Sequence, residues 1–318
     1  MSSLPKPGLV SSQTPKTIDK TQVQKLEDPF HIRAFPFKTE EEVKAIIQEL
    51  YKHLEKAQTA VQYIEFRNVP PQIFKSLSGE DSEIRGLCTL KFDSHSKTLI
   101  VKVMAGYDHE LAMGFFLRTV DDQLRQMNVE KELWCLYTAK MIQRQWHKQA
   151  DIAWCLVPAN FVDTKPQPTL VVEIGVSESL ERLRGDAEGW LKNGSAETQI
   201  VLIASVNQVC GPPKVIIEKY EFDKQDESKR KASKSFSVSI SKTDSVELTR
   251  LNDTTQIVHT NHITAVQTNS VSAIQIHLPF QKLLNRAPNP TKRETDLIIT
   301  GTQMQTAFED VWRMQKLF

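Results

Sequence analysis

Apolar side chains are sparse at the start of the chain. Residues 1–28 are dominated by Ser, Thr, Pro, Lys and Gln, a composition that buries too little apolar surface to offset its ordering entropy and so predicts a disordered tail. A helical period begins after Thr39. Val43, Ile46, Ile47, Leu50 and Leu54 recur at spacings of three and four, Thr39 is placed as the cap, and Glu40, Glu41 and Glu42 complement the dipole of the first turn. A short strand is expected from Tyr63 to Phe66, ahead of the break at Pro70 and Pro71, and a second over residues 97–104, followed by a turn at 105–108. From His109 to Met127 the pattern is helical again, with Met113, Leu117, Val120 and Leu124 on one face and Glu110 at the start of that face.

The middle of the chain reads as strands around one helix. Leu133 to Gln143 and Asp151 to Val157 are expected strands, and a Pro-rich loop covers residues 158–168. Thr169 to Val176 is a continuous run of largely β-branched residues, predicted to be buried on both faces of a sheet covered by helices. Ser179 to Leu191 is helical with Leu180, Leu183, Ala187, Trp190 and Leu191 inward, stopped by Asn193 and Gly194, and Gln199 to Ala204 is another buried strand. The order is α-β-α-β-β-β-α-β, the pattern of an α/β layered domain. After Gly211, Pro212 and Pro213 the texture changes. Residues 214–222, 236–240, 246–251 and 273–278 read as strands, and a helix through Phe308, Val311, Trp312 and Met314 is expected from about Glu294 to the end. We divide the chain into a tail (1–28), an α/β core (29–206) and a β-rich extension ending in a helix (207–318). The pattern leaves open whether the extension enlarges the first sheet or stands apart.

Charge and cysteine usage narrow the classes. Forty Lys and Arg face 39 Asp and Glu, a net charge of +1, which excludes a strongly basic nucleic-acid coat protein but not a local basic groove. Cys88, Cys135, Cys155 and Cys210 are far apart with no CxxC or Cys/His spacing, which indicates reduced, mostly buried thiols rather than a zinc site. No apolar run is long enough to cross a bilayer, and the N-terminus lacks the apolar core of a signal peptide. An intracellular protein is expected, cytoplasmic or nuclear. The stretch Lys229, Arg230, Lys231 with Lys234 fits a solvated loop better than a nuclear import signal. Nothing in the sequence sets the oligomeric state.

Two carboxylates need a chemical explanation. Asp151 begins one strand, and Glu173 lies inside the most hydrophobic strand, where a glutamate is costly to bury unless paired, hydrogen-bonded or bound to a cation. Two readings stay open. The carboxylates converge on a divalent ion such as Mg²⁺ (or Mn²⁺), with Glu110 as a third oxygen ligand, to activate water against a phosphodiester; or Glu173 pairs with Arg182 or Arg184. His109 reads as a capping or hydrogen-bonding residue before a site residue. His259, His262 and His277 have no ligand-like company. Trp134, Trp146, Trp154, Trp190 and Trp312 read as core, and Ser177 and Ser179 as caps of the next helix.

Asp151, a hairpin-length gap, then Glu173-Ile174-Gly175 at the end of an apolar strand, followed by helix and strand, resembles the PD-(D/E)xK (restriction endonuclease-like) superfamily. More narrowly it resembles bacterial candidate restriction endonucleases that share a strand-turn-His-helix block, here Leu99 to Met104, His109 and the helix with Phe116 and Leu117. Residues 168–205, with Thr169 to Ser179, Leu183-Arg184, Asp186-Ala187-Glu188 and Trp190-Leu191, are also similar to an uncharacterised fungal family. The likeness covers roughly residues 35–206 and is specific only from Asp151 to Ser205. It implies a restriction endonuclease-like layered core, a mixed central sheet flanked by helices. It implies a metal-dependent nuclease acting on DNA, with Asp151 and Glu173 as Mg²⁺ or Mn²⁺ ligands and Glu110 as an additional acid. The alternative is a catalytically inactive module of that fold, binding nucleic acid or protein. One position departs from the pattern: the family's lysine falls at Gly175. Some members shift this cation to the next helix, which assigns an electrostatic role to Arg182 or Arg184. An arginine stays protonated and cannot act as the general base.

Overall fold

A computed structural model describes residues 32–315, except 57–61, 80, 104–106, 138–139, 144–145, 158–166, 177–178, 194–197, 208–211, 223–239 and 253. The expected tail, Cys210, Ser177, the 158–168 loop apart from its last two residues, the basic stretch at 229–234 and most of the expected strand at 236–240 therefore lie outside the described residues.

The chain is a mixed α/β protein whose described strands divide among three sheets. The first sheet has the order β1-β2-β4-β3-β7-β6. Its strands are β1 (Arg33–Pro36), β2 (Tyr63–Arg67), β3 (Cys88–Asp93), β4 (Thr98–Val103), β6 (Lys140–Gln143) and β7 (Trp146–Gln149). Helices α1 (Glu40–Glu55) and α2 (Pro71–Leu77) belong to its core, where Val43 and Ile47 meet Ile64, Phe66, Phe74, Leu90, Phe92, Leu99 and Val101. The cap on α1 forms as its sequence dictates: the Thr39 side chain accepts from the Glu42 N–H at 3.1 Å.

The second sheet carries the centre of the molecule, in the order β14-β13-β12-β11-β10-β9-β8-β5. Its strands are β5 (Leu133–Tyr137), β8 (Ile152–Leu156), β9 (Pro168–Val176), β10 (Ile200–Asn207), β11 (Lys214–Phe222), β12 (Ile240–Leu251), β13 (Thr254–Asn261) and β14 (Val266–Thr268). Every residue of β9 is buried, as its β-branched run requires of a strand covered on both faces. One face packs on α3 (Tyr107–Gln126), α5 (Phe280–Leu284) and α6 (Gly301–Gln315), through Phe116, Val120, Leu124, Phe280, Phe308 and Trp312. The other face takes α4 (Leu180–Asn193), through Leu183, Ala187, Trp190 and Leu191. Strands β8 and β9 run antiparallel, and β9 and β10 run parallel across the α4 connection.

Several expectations change. The segment read as one strand from Leu133 to Gln143 is two strands, β5 and β6, in different sheets. The end of the chain, read as helix from about Glu294, contains β16 (Leu297–Thr300), which pairs with β15 (Gln275–Leu278), and only then the helix. Gly301 makes that junction: a Cβ there would lie 2.4 Å from the Val271 carbonyl oxygen, so only glycine permits the close approach. Strands β11 to β14 continue the sheet of β8 to β10, which answers a question the sequence pattern left open. Among the described helices none is long and apolar enough to cross a membrane.

Candidate functional site: a buried cluster of acids and lysines

The two sheets meet where β7 hands the chain to β8, and Asp151 stands at that corner. The first sheet keeps its apolar residues on the α1 side. Its opposite face carries cations: Lys102 on β4 lies opposite Thr89 and Tyr63, and Lys91 on β3 lies opposite Lys148 on β7. Strand alternation therefore aims the lysines toward the acids of the second sheet and of α4.

Asp151 is closed around one oxygen. Its Oδ2 accepts from the Ile174 N–H at 2.7 Å and from the Lys102 ammonium at 2.6 Å, and the same ammonium donates to the Ile174 carbonyl. The His109 Nε2 lies 3.4 Å from Oδ2, too far for a good hydrogen bond. Among the described residues, Oδ1 of Asp151 and both ring nitrogens of His109 have no hydrogen-bond partner. Burial opposes ionisation of Asp151, but the fields of Lys102 and His109 outweigh it and hold the carboxyl well below the usual range.

Glu173 has a different pair of partners. The Trp190 indole N–H donates to its Oε1, and the Lys148 ammonium lies 2.9 Å from the same oxygen. Lys148 also reaches Asp186 on α4, at 2.6 Å, and Lys91 closes Asp186 from the other side at 2.8 Å. The Lys148 contacts are ion pairs without an aligned hydrogen bond. Burial pushes the Glu173 carboxyl up, only partly opposed by Lys148, which is shared with a second acid. Asp186 is also opposed by burial, yet Lys148 and then Lys91 bring it down to about 2. Three ammoniums (Lys91, Lys102, Lys148) thus face three carboxylates (Asp151, Glu173, Asp186). The formal balance is zero.

The side chains expected at this site are only partly here. Asp151 and Glu173 are buried and enter one charge cluster. Glu110 is exposed, which corrects its placement on the core-facing side of α3: the inward residue of that turn is His109, 1 % exposed. Arg184 directs both arms of its guanidinium to Glu218 on β11, at 2.8 and 2.6 Å, and Arg182 stacks on the Tyr63 ring at 4.5 Å. In place of the arginine pairing that was one of the two open readings, Glu173 meets Lys148 and Trp190. Ser179 accepts from the Arg182 N–H as a cap should. Trp154, Trp190 and Trp312 are core, as expected, whereas Trp134 is 36 % exposed. Cys88 and Cys155 are buried free thiols and Cys135 is a half-buried one, each pushed up to about 12 chiefly by burial.

Each acid already gives one oxygen to an ammonium, Asp151 Oδ2 to Lys102 and Glu173 Oε1 to Lys148, while Asp151 Oδ1 accepts no hydrogen bond among the described residues. Among the described residues no group of three or more His, Cys, Asp or Glu side chains is placed to hold a metal.

The ion pairs have a pH signature. Asp186 is held at about 2, as are Glu218, below its three donors, and Asp244, beside His259 and Lys219. A carboxyl with a depressed pKa stabilises the fold above its unfolded pKa and loses that contribution as pH falls through the folded value. Each of the three contributes on the order of 2 kcal/mol at neutral pH. Melting temperature should therefore hold down to about pH 5 and fall steeply from about pH 4 to about 2. Glu173, shifted the other way, gains stability as pH falls through its raised value, above the window in which the other three lose theirs. A flat profile over that window would contradict these assignments.

No family model matches the chain, and no curated protein matches it. Among solved structures, a candidate nuclease belonging to DUF820 from Anabaena variabilis ATCC 29413 is similar at 10 % identity with a TM-score of 0.31, over 48 % of this chain and 75 % of that one.

Proposed function

We propose that the chain is a catalytically silent module with a restriction endonuclease-like layered core, acting inside the cell by binding. In this reading Asp151 and Glu173 anchor a structural charge cluster rather than a hydrolytic centre. One observation carries it: each acid is buried and already closed by an internal ammonium and an N–H donor. The side chains of Asp151, Glu173, Lys102 and Lys148 are 0, 2, 7 and 7 % exposed, so a phosphodiester would meet little of any of them. An ammonium in contact with a carboxylate also repels a second cation, so Mg²⁺ or Mn²⁺ would have to displace a lysine into a low-dielectric interior.

One feature favours the rival reading, a metal-dependent DNA nuclease. Lys102 supplies, from β4 of the first sheet, the ammonium that Gly175 lacks, and a relocated lysine would stand beside the same acids. The two readings part on supercoiled plasmid with Mg²⁺ or Mn²⁺. We expect no nicking above that of a Glu173→Gln control. Metal-dependent nicking that disappears in Glu173→Gln would overturn the silent-module reading.

A further inference from the structure

Helix α4 packs on β9 and β10 and reaches β11, but the strands beyond continue past it. Their α4-side face is polar and continuous: Glu218 lies opposite Ser245, Ser245 opposite Thr260, and Thr260 opposite Gln267. A cleft of about 380 Å³ opens where this row meets the edge of α4, a volume suited to a small organic molecule. Ile216 and Val258 give it an apolar floor, and Leu180 an apolar wall.

Two cations and two acids line the cleft, but they are unevenly placed. Glu218 is its one buried carboxylate, 2 % exposed at the side chain, and it is shared by Arg184, Lys242 and the Tyr220 hydroxyl. The other acid, Glu247, is 46 % exposed and paired at 2.8 Å with Lys214, which does not line the cleft. Two cations against one committed carboxylate leave one positive charge facing the opening. Arg184 and Lys242 are 42 and 29 % exposed there, so neither is sealed off. At the rim, His262 Nε2 lies 2.9 Å from the Ser245 hydroxyl. Its pKa is lowered, first by partial burial and then by Lys242, with His259 adding and Glu218 and Asp244 opposing. The histidine thus senses Lys242 more strongly than any other charge around it.

We propose that this cleft binds a small organic anion, with its phosphate or carboxylate group on Arg184 and Lys242 and its apolar body on Ile216 and Val258. A guanidinium fork beside an ammonium suits either oxyanion. Ser245 and Thr260 supply hydroxyl donors within the same row. The site is separate from the Asp151 cluster, so a positive nicking result would leave it standing.

The test follows the His262 imidazole signals by NMR on the full chain at low salt. Adenosine 5′-monophosphate is the phosphate probe, N-acetylleucine the carboxylate probe and adenosine the neutral control. We expect at least one anion to shift the signals saturably below about 10 mM and to raise the His262 pKa, because bound negative charge stabilises the imidazolium. Binding to phosphate alone, or to carboxylate alone, identifies the head group. Lys242→Met should weaken binding by roughly tenfold or more while melting cooperatively, since Arg184 and Tyr220 still satisfy Glu218. The proposal fails if neither anion moves His262, if adenosine moves it equally, or if a folded Lys242→Met binds as tightly as the wild type. The wild-type titration decides the first two points even where the variant does not fold.

Discussion

Lys148→Met should lower the free energy of unfolding by about 3–5 kcal/mol, because it strips one partner from a buried ion cluster and leaves acids behind. Lys148 is 7 % exposed and holds two acids at once, Glu173 at 2.9 Å and Asp186 at 2.6 Å. Asp186 retains Lys91. Glu173 retains only the Trp190 indole among the bonds described above, which is too little for an ionised carboxylate in that interior. The methionine fills a similar volume, so lost packing contributes little to the effect. Adding Glu173→Gln should recover most of the loss, since the uncompensated charge then disappears. A urea denaturation cycle over the two singles and the double measures this coupling. Additive losses would show that the two side chains do not share one energetic unit.

Trp190 is the second sensitive point, and two substitutions separate its roles. It is fully buried on α4, wedged among Leu183, Val171, Val201 and Ile203, and its N–H serves Glu173. Trp190→Phe keeps most of the ring but removes the aligned N–H donor from a carboxylate oxygen that then keeps only the Lys148 ion pair, for an expected loss of about 1–3 kcal/mol. Trp190→Ala also opens a cavity between α4 and the sheet and should cost about 3–5 kcal/mol. Combining Trp190→Phe with Glu173→Gln should soften the first effect and leave the cavity effect of Trp190→Ala unchanged. Equal losses for Phe and Ala would place the whole contribution in the hydrogen bond and none in packing.

The centre of the fold was legible because its signals are strong and local. The β-branched run of β9, the heptad-like stripe of α4 and the apolar run of β10 each specify one element, and β11 falls where its alternation places it. Apart from β3, whose Cys88, Leu90 and Phe92 carried a readable alternation, most of the missed strands are short, polar or both. β7 is Trp-His-Lys-Gln and β14 is Val-Gln-Thr, and their pairing comes from neighbours distant in sequence rather than from their own pattern. β16 was absorbed into the terminal helix because three apolar residues and a threonine fit either period.

The site was half legible for a related reason. Glu173 announces itself as a charge in an apolar strand, and the argument that it must be paired holds. Lys102 offers the same kind of signal, a lysine set between Val101 and Val103, and applying the same argument to β4 would have found it. Lys148 and Asp186 gave no comparable sign, since β7 was not read as a strand and Asp186 looks like any polar residue of an amphipathic helix. Their meeting depends on how two sheets cross at Asp151, which no local pattern encodes. Glu110 went to the wrong face because adjacent residues of a helix differ by about 100°, so reading Met113 and Leu117 as the centre of the buried stripe turned His109 outward.

The central claim is that internal ammoniums, not a divalent ion, close the buried acids. Thermal unfolding of the full chain in EDTA and then in millimolar Mn²⁺ tests it most directly. A ligand that binds the folded state alone must raise the melting temperature. The account predicts superimposable curves for wild type and for Glu173→Gln with and without the metal. A saturable rise of several degrees in wild type that is absent in Glu173→Gln would contradict it and return Asp151 and Glu173 to the role of metal ligands.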